Sequence, residues 1–377
     1  MSLLQEEIRR LRLEAASDAQ RRQEDREIAI LMRGNRERGH EDSYRDSTFL
    51  YIKTFVGDNG SRPIPPGTLF WNSPDVELFD GSTLIATNEL KASHSYDVKV
   101  LVTNDGDYAA TACTVDLFIC HPSLALNLAN AKFLGVKSIY VNAHDAAFVN
   151  FPFTASATDI GHRCLFARAY SAVSKDMPVD ADWFNTATDR HTAQQNLSII
   201  KQGEAFMMEF MPSRNNAMGI RIVPQLSSTQ QLSRYRFAEN KTFTEARSNQ
   251  SFELLEVADT TMSSMQIHKV LNMKRHAVQR LNVGRRVPIL GRRNTNTSSI
   301  NQDIRLSALT EALRPVRMTD TNHWQVGIRE EQTTRVVNTV LDIPHLGLKP
   351  SEAAVYQVEM FDGQGHVSGG ITLVVTG

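Results

Sequence analysis

Polar and apolar residues alternate along Tyr96-Asp97-Val98-Lys99-Val100-Leu101-Val102-Thr103, and the run stops on Asn104-Asp105-Gly106. That is the period of a half-buried strand followed by turn chemistry. A second alternating run, Cys113-Thr114-Val115-Asp116-Leu117-Phe118-Ile119, follows at once and closes on His121-Pro122-Ser123. The two runs are expected to pair as a hairpin at one edge of a β-sandwich. Further short strands are expected at 48–53, 138–141, 147–153, 161–170 and 196–200, the last of them closing the domain. Helical periodicity is poor across 73–200, so this stretch predicts an all-β sandwich. Asp58-Asn59-Gly60 reads as a turn and Pro63-Ile64-Pro65-Pro66-Gly67 as an extended linker.

A second domain is expected from about Gly203. Residues 205–212 and 218–224 read as strands, and 354–361 with 370–375 as a terminal hairpin around Asp362-Gly363-Gln364-Gly365. Strands at both ends suggest a second sandwich closed by its first and last strands. Between them Ile267, Val270, Leu271, Val278 and Leu281 share a helical face. The arginine-rich run around Arg285, Arg286, Arg292 and Arg293 follows. Residues of about 255–310 are therefore expected as a helix-and-loop insertion. At the other end, residues 1–38 lack Gly and Pro until Gly34 and read as one helix. Leu4, Ile8 and Leu11 mark a thin apolar stripe on it, and 17–27 is almost wholly polar. Such a helix is either a solvated arm or a docking arm for a partner helix or a second copy. The expected fold is mainly β: two immunoglobulin-like β-sandwich domains preceded by an N-terminal α-helix. The division is 1–40 helical arm, 41–202 first sandwich and 203–377 second sandwich with its insertion.

Composition changes this picture little. The chain has 377 residues, 41% of them hydrophobic, and a formal net charge of -1, so no global field draws it to nucleic acid or membrane. Cys113, Cys120 and Cys164 are the three cysteines, an odd number that argues against a disulfide framework and reads as small core residues. Met1-Ser2-Leu3-Leu4-Gln5-Glu6-Glu7 does not read as a signal peptide, and no apolar run approaches the roughly 20 residues that span a bilayer. A chain that is cytoplasmic at synthesis is expected, with any export taking place inside a particle.

The run from Val98 to Pro122, with Asn104-Asp105-Gly106 between its strands, resembles bacterial immunoglobulin-like modules of the CARDB type. Gly161-His162-Arg163-Cys164-Leu165-Phe166-Ala167-Arg168 and Asp189-Arg190-His191-Thr192-Ala193-Gln194-Gln195-Asn196 are similar to the closing strands of related modules. The resemblance covers about residues 73–200. It implies a β-sandwich used for adhesion or assembly, and no reaction.

Candidate chemistry is sparse. Lys269, Lys274, Arg275, Arg280, Arg285, Arg286, Arg292 and Arg293 form a basic run with no interleaved aromatics to stack on bases. A solvated face, an acidic protein partner and a phosphate backbone are the three readings of it. His121, His144, His162 and His191 lack the spacing of a zinc site. Asp189 and His191, two apart, would share a strand face, and with His162 they are the best available catalytic guess; fixing a turn is the competing role. Phosphate-loop, dinucleotide and nucleophile-elbow motifs are absent, so no cofactor and no metal are expected. Met207, Met208, Met211 and Met218 read as core filling, with an adaptable interface as the other reading. The function expected is that of a non-enzymatic structural or interaction protein of a larger bacterial assembly. A component or cargo of a phage-tail-like contractile injection particle would fit. Its protein partners would be met through Leu4, Ile8 and Leu11 and through the arginine-rich insertion. The alternatives are an effector or toxin enzyme with a scattered site, and a nucleic-acid binder using the arginines.

Overall fold

The computed structural model describes residues 47–120, 126–128, 131–210, 217–225, 232–246, 252–257, 270–271, 313–316, 318–320, 322–327, 337–361 and 367–377. Over these the protein is mainly β. The first region contains β1 (Leu50–Tyr51), β2 (Val76–Asp80), β3 (Thr83–Leu84), β4 (Ser95–Asn104), β5 (Ala110–Cys120), β6 (Leu126–Asn127), β7 (Lys132–Val141), β8 (Asp145–Thr154), β9 (Cys164–Tyr170), β10 (Trp183–Phe184) and β11 (Thr192–Gln195). One sheet runs β1-β4-β2-β3 with β8 also on β4, and a second runs β11-β9-β5-β7. Val98, Val100 and Val102 of β4 share one buried cluster with Val115, Leu117 and Ile119 of β5 and Leu165, Ala167 and Ala169 of β9. The alternation read from the sequence thus points each strand's apolar side into one core between the sheets.

The expected hairpin does not form. β4 pairs with β1, β2 and β8, whereas β5 pairs with β7 and β9, so residues 105–109 carry the chain from one sheet to the other. The buried Asn104 side chain holds this crossing. Its Oδ1 accepts from the Phe49 N–H at 2.9 Å and the Gly106 N–H at 3.1 Å. Its Nδ2 donates to the carbonyls of Tyr108 at 2.8 Å and Asn142 at 3.1 Å. Gly106 is needed because a Cβ there would stand 2.2 Å from the Ser47 carbonyl oxygen. Asn-Asp-Gly is locally the same signal for a hairpin turn and for an arch; which one forms is decided by where the apolar faces of both strands must go.

The second region contains β12 (Leu197–Lys201), β13 (Ala205–Phe210), β14 (Ala217–Pro224), β15 (Thr242–Phe243), β16 (Glu253–Val257), β17 (Leu313–Pro315), β18 (Met318–Asp320), β19 (His323–Gly327), β20 (Val337–Asp342), β21 (Glu352–Phe361) and β22 (Val367–Thr376). One sheet runs β12-β22-β21-β14-β19-β18 with β15 on β21, and the other runs β13-β20-β16-β17. Phe206, Met208, Leu254 and Leu341 share a core with Ile220, Ile222, Tyr356, Val358, Ile371 and Leu373. The terminal hairpin forms as expected, β21 antiparallel to β22. The strand at 197–201 does not close the first sheet pair. It lies parallel to β22, Leu197 beside Thr372 and Lys201 beside Thr376, and so belongs to the second.

Of the expected insertion, Val270 and Leu271 are buried with Leu255, Val257, Leu313 and Val340. Ile267, Val278, Leu281, the arginine-rich run and the N-terminal helical arm lie outside the described residues. Among the described residues no helix is long and apolar enough to cross a membrane.

Candidate functional site

Asp189 and His191, paired on the sequence as a catalytic guess, do meet, and a third residue completes the group. His191 is 1% exposed, with Nδ1 2.7 Å from Asp189 Oδ1 and Nε2 2.8 Å from Asp176 Oδ1. Arg190 donates from a guanidinium nitrogen to the same Asp176 oxygen at 2.5 Å and lies over the Phe49 ring at 4.3 Å. Asp176 Oδ2 accepts from the Leu50 N–H at 2.7 Å and the Thr48 hydroxyl at 3.1 Å, while Asp189 Oδ2 accepts from the Val179 N–H at 2.9 Å. Burial disfavours charge on all three titrating groups, but their mutual contacts win. The hydrogen bonds to His191 and the Arg190 charge hold Asp176 below the usual carboxylate range. Asp189 is lowered likewise by its bonds to His191, and the two carboxylates raise His191.

A carboxylate at each nitrogen favours the protonated imidazole, the form that donates from both. The group fastens β1 to the segment between β9 and β11. Asp176 carries no signal in the sequence, because it lies fifteen positions from His191 with no periodicity linking them. His162 is elsewhere, hydrogen-bonded to Ser198 and edge-on to Phe206 at 4.9 Å. His144 faces Asp107 at 2.7 Å on the surface.

The seam between the two sheet pairs is a second built region. Leu84, Ala86, Leu197, Leu232, Tyr235, Val355 and Val374 form one apolar cluster across it. Arg236 bridges Asp80 at 3.0 Å and Glu89 at 3.2 Å, and Arg234 reaches Glu77 at 2.7 Å. Trp71 Nε1 donates to Gln357 Oε1 at 2.9 Å, and Thr372 donates to the same oxygen at 3.0 Å. Gln357 donates in turn to Gln225, and Gln195 to Tyr235. The Trp71 ring lies flush on Gly370, where a Cβ would come within 2.5 Å of it. A cleft of about 130 Å³ opens beside this network, lined by Phe55, Val56, Leu69, Asn72, Gln225 and Gln357 among others.

The surface of interest is the outer edge of β7. Among the described strands none pairs on that side. Lysines usually guard such edges. Here Lys132 is drawn to Asp159 at 2.6 Å, and the Lys137 ammonium sits 5.8 Å from the Phe151 ring centre. Phe133, Val136 and Tyr140 are left outward at 52%, 55% and 55% exposure. The neighbouring edge, β8, carries Pro152, which has no N–H to offer.

The expected partner-binding residues Leu4, Ile8, Leu11, Arg285, Arg286, Arg292 and Arg293 lie outside the described residues. Among the described residues no group of three or more His, Cys, Asp or Glu side chains is placed to hold a metal ion.

No protein-family model and no curated protein matches this chain. Solved structures do. The CARDB domain of a Pyrococcus furiosus protein, in complex with di-metal ions, matches at 12% identity and a TM-score of 0.21, over 32% of this chain and 86% of that one. The C-terminal domain of wzt matches at 12% identity and a TM-score of 0.21, over 40% of this chain and 78% of its own. DesR, a β-glucosidase from Streptomyces venezuelae in complex with D-glucose, matches at 18% identity and a TM-score of 0.17, over 32% of this chain and 14% of its own. The structures similar to this chain thus include a CARDB domain, the type its sequence resembles.

Proposed function

We propose that this chain is a non-enzymatic structural and interaction protein, built of two immunoglobulin-like β-sandwich modules, that serves a larger bacterial assembly. The setting proposed is a phage-tail-like contractile injection particle, in which the chain is a fitting or a carried cargo. The observation that carries the interaction reading is the β7 edge: ten residues long, unpaired among the described strands, its lysines turned to its own module and Phe133, Val136 and Tyr140 turned out. An exposed apolar row on a strand edge is a template for a partner. The seam supports it, because a surface held on a rigid body loses less freedom on binding. Partners met through Leu4, Ile8 and Leu11 and through the arginine-rich insertion belong to the same proposal.

Density-gradient sedimentation of lysate from the native host tests it. The chain is expected to travel with a particle far larger than its own 42.3 kDa. Val136→Lys is expected to release it to the top of the gradient with its melting midpoint unchanged. Deletion of residues 1–40 separates the contribution of the arm from that of the edge. A wild-type chain that sediments free overturns the reading.

A further inference from the structure

β5 and β9 run side by side, and their pairing ends with Cys120 directly opposite Cys164. Both are free thiols, 4% and 1% exposed. The Cys120 thiol donates to the Cys164 carbonyl at 3.7 Å, which places its sulfur over the partner residue. Opposed residues of an antiparallel ladder stand about 4.5 or about 5.5 Å apart at Cα. A disulfide spans about 4.4–6.8 Å between Cα atoms, so both spacings lie within its reach. The pair is walled by Phe118, Phe166 and Phe184.

We propose that Cys120 and Cys164 are a redox modification site, which closes to a cross-strand disulfide when the protein meets a low-molecular-weight disulfide such as oxidised glutathione. The Cys120 thiolate attacks one glutathione sulfur. The glutathione S–S bond breaks, and the first glutathione leaves as a thiolate that takes up the proton Cys120 gave to water. The Cys164 thiolate then attacks Cys120 Sγ. The protein S–S bond forms, the mixed disulfide breaks, and the second glutathione leaves with the second proton. Two protein thiols are oxidised and one external disulfide is reduced.

Position sets the order and the pace. Cys120 is the last residue of β5 and Cys164 the first of β9, so opening this one rung exposes both at the edge of their own small cluster and leaves the inner core of Val115, Leu117 and Leu165 closed. Burial and the neighbouring Cys120 raise the Cys164 thiol, which keeps exchange slow while the rung is closed. Cys113 stands opposite Ile139 in the inner core and has no thiol to pair with. Burial pushes it up to about 12. Once formed, the bond joins strand ends 44 positions apart and encloses β6, β7 and β8 in one covalent loop.

The test uses the full-length chain, incubated with oxidised glutathione and then alkylated under native conditions. Intact mass is expected to fall by two hydrogens, and peptide mapping to join Cys120 to Cys164 with Cys113 free. The melting midpoint is expected to rise by about 5–10 °C. Cys113→Ser is expected to keep the link, and Cys164→Ser to stop at a glutathione adduct on Cys120. Native wild-type protein in which both thiols stay alkylatable after oxidation overturns the proposal. So does a link that includes Cys113, or one that forms only after denaturation.

Discussion

His191 stands between two carboxylates, Asp189 on one side and Asp176 on the other, and they favour its charged form in the fold. Its folded value is raised above the ordinary 6.5, so the stability it contributes is complete below about 6.5 and is lost as pH rises through the raised value. Asp176 and Asp189 are lowered from 3.8, so their contribution is present above that value and is lost as pH falls through their folded ones. The cluster is therefore expected to stabilise the protein most between about pH 4 and about pH 6.5. Urea unfolding followed across pH checks this: the wild type should weaken on the alkaline side, and the difference between it and His191→Asn should shrink there. Asp176→Asn removes a carboxylate that serves His191, Arg190, Thr48 and the Leu50 N–H at once. It is expected to cost about 3–5 kcal/mol, because His191 stays buried without it.

The arch between β4 and β5 shows what an element owes to residues far from it. Asn104→Ala removes the hydrogen bonds to the Phe49 N–H and to the Tyr108 and Asn142 carbonyls, and is expected to lose about 2–3 kcal/mol in chemical denaturation. Both strands are legible in the sequence, because alternation such as Val98, Val100, Val102 and Val115, Leu117, Ile119 reports which side of a strand is buried. What alternation does not report is which strand lies alongside. Asn104 and Gly106 carry the same local signal in an arch as in a hairpin, so local pattern alone predicts the wrong pairing. The hairpin of β21 and β22 is legible, since there the local turn and the global pairing agree. Leu197–Lys201 falls in a different sheet from the one expected for a related reason: its apolar residues fit either core, and only Thr372 to Thr376, far along the chain, decide. At the candidate site, Asp189 and His191 are visible because they are near neighbours; Asp176 is not, because the loop between is irregular.

Across the whole molecule the two sheet pairs are joined through side chains as much as through the chain. One residue, Asn196, separates β11 from β12, and it is itself tied: its N–H donates to the Trp71 carbonyl at 2.9 Å and its side chain to the Gly370 carbonyl at 2.7 Å. With no slack and a continuous apolar seam, the described regions are expected to unfold together, as a single calorimetric transition. Gly370→Ala puts a methyl where the Trp71 ring lies. It is expected to cost about 1–3 kcal/mol and to split that transition in two, the first region melting ahead of the second.

The parallel pairing of β12 with β22 has a consequence for tension. Pull the first region away from the C-terminus, and force enters β12 at Leu197 and leaves β22 at Thr376. Because the two strands point the same way, the load slides one along the other. All five paired positions from Leu197 to Lys201 then resist together, whereas an antiparallel pair pulled from its free ends would unzip rung by rung. Under such a load that arrangement makes the seam a shear joint.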